Sequence, residues 1–192
     1  MSLSQTLVLT LDPPVDVAGG KLDMVKLREP TGTEMMAAEA AISAAISEAT
    51  LTDYRVKLVC AVSGLDEASV NLLPVSVFGN ACRFVEAFNS AGPAASAGPT
   101  LELPIGAKLT SGAISYDKLT LREPTVGQRR KAETAIAAGR TAASGRRYQM
   151  ILVSEASGVP YALAEQLPVS VLNAAEAFVL GFIEGGPKTG MT

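Results

Sequence analysis

The sequence predicts an α+β fold, mainly α, made of two homologous domains, each a β-hairpin followed by about three helices. Three observations carry this. Leu27-Arg28-Glu29-Pro30-Thr31 recurs as Leu121-Arg122-Glu123-Pro124-Thr125, an offset of 121 − 27 = 94 residues. The same offset pairs Leu73-Pro74-Val75-Ser76-Val77 with Leu167-Pro168-Val169-Ser170-Val171, and roughly 31 of the 87 positions from 7 to 93 are identical to their counterparts without a gap. A repeat of this length exceeds the 20–50 residues of a solenoid unit, so each repeat reads as a small domain. Within each repeat, apolar residues alternate first with period two and then recur at helical spacing.

The boundaries follow: 1–90 for the first repeat, 91–99 for a linker, 100–186 for the second repeat and 187–192 for a tail. The linker stretch is small, uncharged and punctuated by Gly and Pro, the composition of a flexible connection. Leu7, Leu9 and Leu11 alternate with Val and Thr, which predicts a strand, and Asp12-Pro13-Pro14 is expected to end it. Leu22 to Leu27 predicts the antiparallel return. In the second repeat Leu101, Leu103 and Ile105 make the first strand, Gly106 to Gly112 the connection, and Ile114 to Leu121 the return.

Pro30 cannot donate to a ladder and holds Glu29 extended, so the strand stops there. Thr31 with Glu34, and Thr125 with Gln128, have capping-box spacing. The pentapeptide is thus a strand-to-helix joint, with Arg28 and Glu29 tying it together. The first helix is expected from Thr31 to about Ala49, and its counterpart from Thr125 to about Ala143. A second helix is expected from near Thr52 and ends at Gly64, a left-handed C-terminal glycine; Gly158 repeats it. A short turn over Asp66 to Leu73 leads to a last helix that begins at Pro74. Its stripe Val77, Ala81, Phe84, Val85 and Phe88 recurs as Val171, Ala175, Phe178, Val179 and Phe182, one helix face, read as core.

Composition narrows the function classes. The 192 residues include no His and no Trp, and net charge is −3. Residues 1–93 carry 6 basic and 11 acidic side chains and residues 94–192 carry 10 and 8, so the repeats differ, at −5 and +2. Opposite charge would favour association of the acidic and basic repeats, within one chain or between chains. Without His there is no Ser-His or Cys-His pair and no His metal ligand. Cys60 and Cys82 have Ser154 and Glu176 as counterparts, which argues against a disulfide or metal site. No catalytic, cofactor-binding or metal-binding residue is singled out, and no cofactor is expected. No window is apolar enough for a membrane span, and the start of the chain has no basic n-region, so a cytosolic protein is expected. Candidate partner-binding residues are Met35 and Met36, soft and adaptable, at least one of them expected in the core, and Arg129, Arg130 and Lys131, cations at a helix start that oppose its dipole. A nucleic-acid interface would want a basic domain; only Arg146 and Arg147, added to that cluster, point that way.

Hairpin, Leu-Arg-Glu-Pro-Thr, helix, Gly-Leu or Gly-Val helix end and a last helix ending Phe-Val-x-x-Phe together resemble the tail assembly chaperones of Mu-like tailed phages and prophages. The resemblance covers nearly all of each repeat, but the family usually has one such unit where this chain has two. It implies a non-catalytic protein of the bacterial cytoplasm that binds the tape measure protein, with the tail tube protein as a further partner, and keeps it soluble while the tube assembles. A structural part of the tail or baseplate, and a small nucleic-acid-binding regulatory module, are the alternative expectations.

Overall fold

The computed structural model describes residues 5–42, 47–90 and 98–184; the 91–97 part of the expected linker and the tail at 187–192 lie outside them. The chain is α+β and mainly α, and its elements recur with the 94-residue offset. The first hairpin is β1 (Thr6–Val17) and β2 (Gly20–Arg28), followed by α1 (Gly32–Glu39), α2 (Glu48–Ser63), α3 (Glu67–Asn71) and α4 (Val75–Ala87). The second is β3 (Thr100–Ser111) and β4 (Ile114–Arg122), followed by α5 (Val126–Glu133), α6 (Ala142–Ser157), α7 (Tyr161–Ala164) and α8 (Val169–Glu184). Each hairpin is its own two-stranded antiparallel sheet. Thr6 pairs with Arg28 in one and Thr100 with Arg122 in the other, the same register.

Both first strands run past the residues expected to end them. The β1 ladder breaks after Thr10 and resumes at Val15, so Pro13 and Pro14 sit in an irregular stretch where no amide has to pair. In β3 the break lies between Pro104 and Leu109, with Gly106 at φ 81°, a bulge geometry that suits glycine. The bulges have a packing consequence. Leu11 and Ile105, within them, are buried at 3% and 1% exposure. A proline ends a ladder only where its missing N–H would have paired, and a bulge removes that demand.

The expected first helices are also corrected. The helix opening at Thr31 does not run to Ala49; α1 stops at Glu39 and α2 starts afresh at Glu48 rather than near Thr52. In the second repeat α5 stops at Glu133 and a 3-10 turn over Thr134–Ile136 follows. Gly139 at φ 127° then precedes α6. The new helices are capped independently. Ser47 and Thr50, and Thr141 and Ser144, exchange side-chain to backbone bonds as capping boxes. Alanine and isoleucine periodicity through 38–49 masked these starts, because it continues helical spacing across the break.

The other expected signals hold. Thr31–Glu34 and Thr125–Gln128 form the capping boxes of α1 and α5. Gly64 and Gly158 end α2 and α6 at φ 76° and 73°. Ala81, Val85 and Phe88 on α4, and Ala175, Phe178 and Val179 on α8, are core residues, and Phe84 meets Phe88 edge-to-face with ring centroids 5.2 Å apart. Each hairpin and its helices surround one apolar cluster, but the clusters share members across the repeats: Val169 belongs to the first and Met36 packs on the second. Among the described residues no helix is long and apolar enough to cross a membrane.

If α6 is capped as a separate helix, Thr141→Ala and Ser47→Ala should each lower stability by about 1 kcal/mol in urea unfolding. Were each a residue inside one continuous helix, alanine would be neutral or stabilising.

Candidate protein-binding surfaces

The two repeats meet at one joint, built from the Leu-Arg-Glu-Pro-Thr motif of the first and the Leu-Pro-Val-Ser-Val motif of the second. The first amides of any helix lack an intrahelical partner. Here each of two helices finds them in the other repeat. At the start of α8, Val169 N donates to Pro30 O at 3.0 Å and Ser170 N to Glu29 Oε1 at 2.7 Å. At the start of α1, Gly32 N donates to Leu167 O at 3.0 Å and Thr33 N to Glu165 O at 2.9 Å. Thr33 Oγ1 adds a bond to Glu165 O at 3.0 Å, and Thr31 and Pro168 form an antiparallel bridge. Glu29 is 9% exposed. Arg28 donates to the Glu29 backbone carbonyl at 3.1 Å rather than to its carboxylate, and its guanidinium also takes Glu34 at 2.8 Å, which fastens strand β2 to the first turn of α1.

Glycine is required where the backbones come closest. A Cβ on Gly32 would lie 2.6 Å from Leu172 Cδ1, 2.7 Å from Met150 Sδ and 3.3 Å from Glu165 O. Leu172 and Met150 are both fully buried, so neither has open space to move into.

Beside the joint, Arg146 of α6 donates to Glu39 Oε1 of α1 at 2.9 Å, an ion pair whose side chains are 11% and 12% exposed. Arg146 also donates to Gln149 and Asn173, Gln149 donates to Glu176 at 2.8 Å, and Asn173 Nδ2 donates to Phe88 O at 2.9 Å. Glu39 Oε2 and Arg146 Nε have no hydrogen-bond partner among the described residues. This network floors a cleft of about 610 Å³ whose rim carries Arg129, Glu133, Arg140 and Ile183. Burial pushes the carboxyls of Glu39 and Glu176 above the usual carboxylate range, against the lowering pull of Arg146.

The residues singled out from sequence fall in different places. Met35 is fully buried in the first cluster, where its Sδ accepts from Tyr54 Oη at 3.3 Å. Met36 packs against the second cluster, at the contact between repeats. Arg129 pairs with Glu133 one turn on, and Lys131 with Glu155 of α6 at 3.1 Å. Arg130 is exposed. Met35 thus lies in the core and Met36 is half-buried at the contact between repeats, while Arg129 lines the cleft beside Glu39 and Lys131 is tied to α6. Cys60 and Cys82 are free thiols; burial raises Cys82 to about 11, so it stays protonated. Among the described residues no group of three His, Cys, Asp or Glu could hold a metal ion.

Sequence reasoning did not find Glu29, Gly32, Thr33, Arg146 and Asn173 as joint residues. One signal was present: Gly32, Thr33, Arg146 and Asn173 differ from their counterparts Val126, Gly127, Thr52 and Gly79. A residue needed on one side of a heterologous contact need not be kept where the equivalent face is free.

Capped helix ends, close backbone approach and paired surface charge describe a contact between the two repeats. Residues 100–184, from β3 to the end of α8, match the model of a family described as phage tail assembly chaperone proteins, E, or 41 or 14. Neither the curated proteins nor the solved structures gave a match.

Gly32→Val should open the joint: overpacking at this site is expected to cost about 1–3 kcal/mol, read by urea unfolding, with faster hydrogen exchange at Val169 and Ser170 than in the unsubstituted chain. Arg146→Ala should cost about 3 kcal/mol, since it strands a buried Glu39. The two raised carboxyls also set a pH trend. A group that binds its proton more tightly folded than unfolded adds stability below its folded pKa and loses it as pH rises through that value. Between about pH 5 and 7, above the range where ordinary carboxylates titrate, stability should hold or rise on acidification, and Glu39→Gln should flatten that trend.

Proposed function

We propose that the chain is a non-catalytic phage tail assembly chaperone that binds the tape measure protein in the bacterial cytoplasm and keeps it soluble while tail tube subunits assemble around it. The observation that carries this reading is the family match over residues 100–184. The molecule's own surfaces are compatible with it. Large apolar side chains stand exposed, among them Val75 at 86%, Val126 at 76%, Ile114 at 59% and Val8 at 54%. An extended client meets several small apolar contacts this way, without one large patch that would drive self-aggregation. Two linked repeats in a rigid pair raise avidity for a repetitive client without new contacts. The tail tube protein is a further partner in the same reading.

The test is co-expression of the full chain with the tape measure protein of the same phage, followed by the soluble fraction and co-purification of the pair. The expected outcome is a several-fold rise in soluble tape measure protein, and absence of this chain from purified virions by mass spectrometry. An unchanged insoluble fraction with no complex, or a stoichiometric presence in virions, would defeat the proposal.

A further inference from the structure

The joint occupies one face of each repeat and leaves the equivalent faces open. In the second repeat the seat is Leu167-Pro168-Val169-Ser170. The first repeat carries the identical residues Leu73-Pro74-Val75-Ser76 at the start of α4. Val169 is fully buried, whereas Val75 is 86% exposed, with Leu72 beside it at 55%. The α8 amides Val169 N and Ser170 N are filled by Pro30 O and Glu29 Oε1. On α4, a 13-residue helix, Pro74 makes no side-chain cap bond, and Val75 N and Ser76 N have no partner among the described residues. The open seat thus has the same backbone donors and the same Leu-Pro-Val-Ser rim, and its twin holds a known plug in this same molecule.

We infer that this face of the first repeat docks an extended Glu-Pro-small-Gly segment of a partner protein. The glutamate meets Ser76 N, the proline carbonyl meets Val75 N, and the glycine amide donates to Leu73 O, as Glu29, Pro30 and Gly32 do in the occupied seat. The occupant is a different protein rather than a second chain of this one. The free joint on the chain's own second repeat is Glu123-Pro124-Thr125-Val126, with Val126 in place of Gly32. In the occupied seat a mere Cβ at that position would come 2.6 Å from Leu172 Cδ1 and 3.3 Å from Glu165 O. The open seat has the bulkier Phe78 in place of Leu172, the smaller Val56 in place of Met150 and the Asn71 carbonyl in place of that of Glu165, so a valine side chain still meets a large side chain and the backbone. The other fasteners are missing as well. Gly127 lacks the Thr33 hydroxyl, Thr52 replaces Arg146 opposite Glu133, and Gly79 replaces Asn173.

The test uses the full, isotope-labelled chain and two blocked synthetic peptides, followed by amide chemical shifts. One peptide is Leu-Arg-Glu-Pro-Thr-Gly-Thr, the sequence of residues 27–33, and the other has valine for its glycine. The glycine peptide should produce saturable shifts at Val75, Ser76 and Val77. The valine peptide should bind at least about tenfold more weakly, the scale of one overpacked contact. Val75→Glu in the chain, a change at an exposed site, should abolish the shifts. By sedimentation the chain alone should stay monomeric. The inference fails if the glycine peptide leaves Val75–Val77 unmoved or shifts only Val169 and Ser170. It also fails if both peptides bind alike, or if the chain self-associates in a manner that Val75→Glu abolishes.

Discussion

Two helix ends cap each other, and the relation of the repeats depends on it. Helices α1 and α8 each begin with amides that their own turns cannot satisfy. Each finds acceptors in the opposite repeat: Leu167 O and Glu165 O for α1, Pro30 O and Glu29 Oε1 for α8. Burying these ends without partners would cost about 1–3 kcal/mol for each unsatisfied group. Once the partners are in place, the alignment of the two motifs is constrained to within a hydrogen-bond length. The apolar contacts then follow from this register, with Val169 reaching the first core and Met36 the second.

The joint is heterologous: the surface used on one repeat differs from the surface used on the other. Such a contact always leaves one unused face of each kind. Some of the differences between the repeats fall at this contact. Gly32 against Val126 decides whether backbones can approach, and Arg146 against Thr52 decides whether Glu39 or Glu133 meets a buried cation. Glu133 instead pairs with Arg129 on its own helix. A pair of homologous units thereby becomes an ordered pair with one internal contact and two distinct outer faces.

The buried network beside the joint is more polar than packing requires. Arg146, Glu39, Gln149, Asn173 and Glu176 share bonds across three helices and both repeats. A buried ion pair recovers little net stability over well-packed apolar groups. Its geometric demand is strict, however, because a guanidinium presents donors in a fixed fork. The network therefore acts on orientation, adding a second fixed point some distance from the capped helix ends.

What the sequence determined by itself was local. Capping boxes at Thr31 and Thr125, left-handed helix ends at Gly64 and Gly158 and the phenylalanine faces of the last helices depend on residues close together in the chain. Signals failed where the deciding group was distant or where burial outranked propensity. Pro13 and Pro14 did not end β1, because a bulge placed them where no ladder bond was due. The alanine-rich run after α1 did not remain one helix; α1 closes at Ala40 and the Ser47 capping box opens α2. Tertiary structure alone decided the use of the two repeated motifs. Glu29 is 9% exposed and Glu123 lies open; Val169 is buried and Val75 is 86% exposed. Identical pentapeptides form the same capping box, but their burial is set by what lies across the joint, where Gly32 lets the backbones approach.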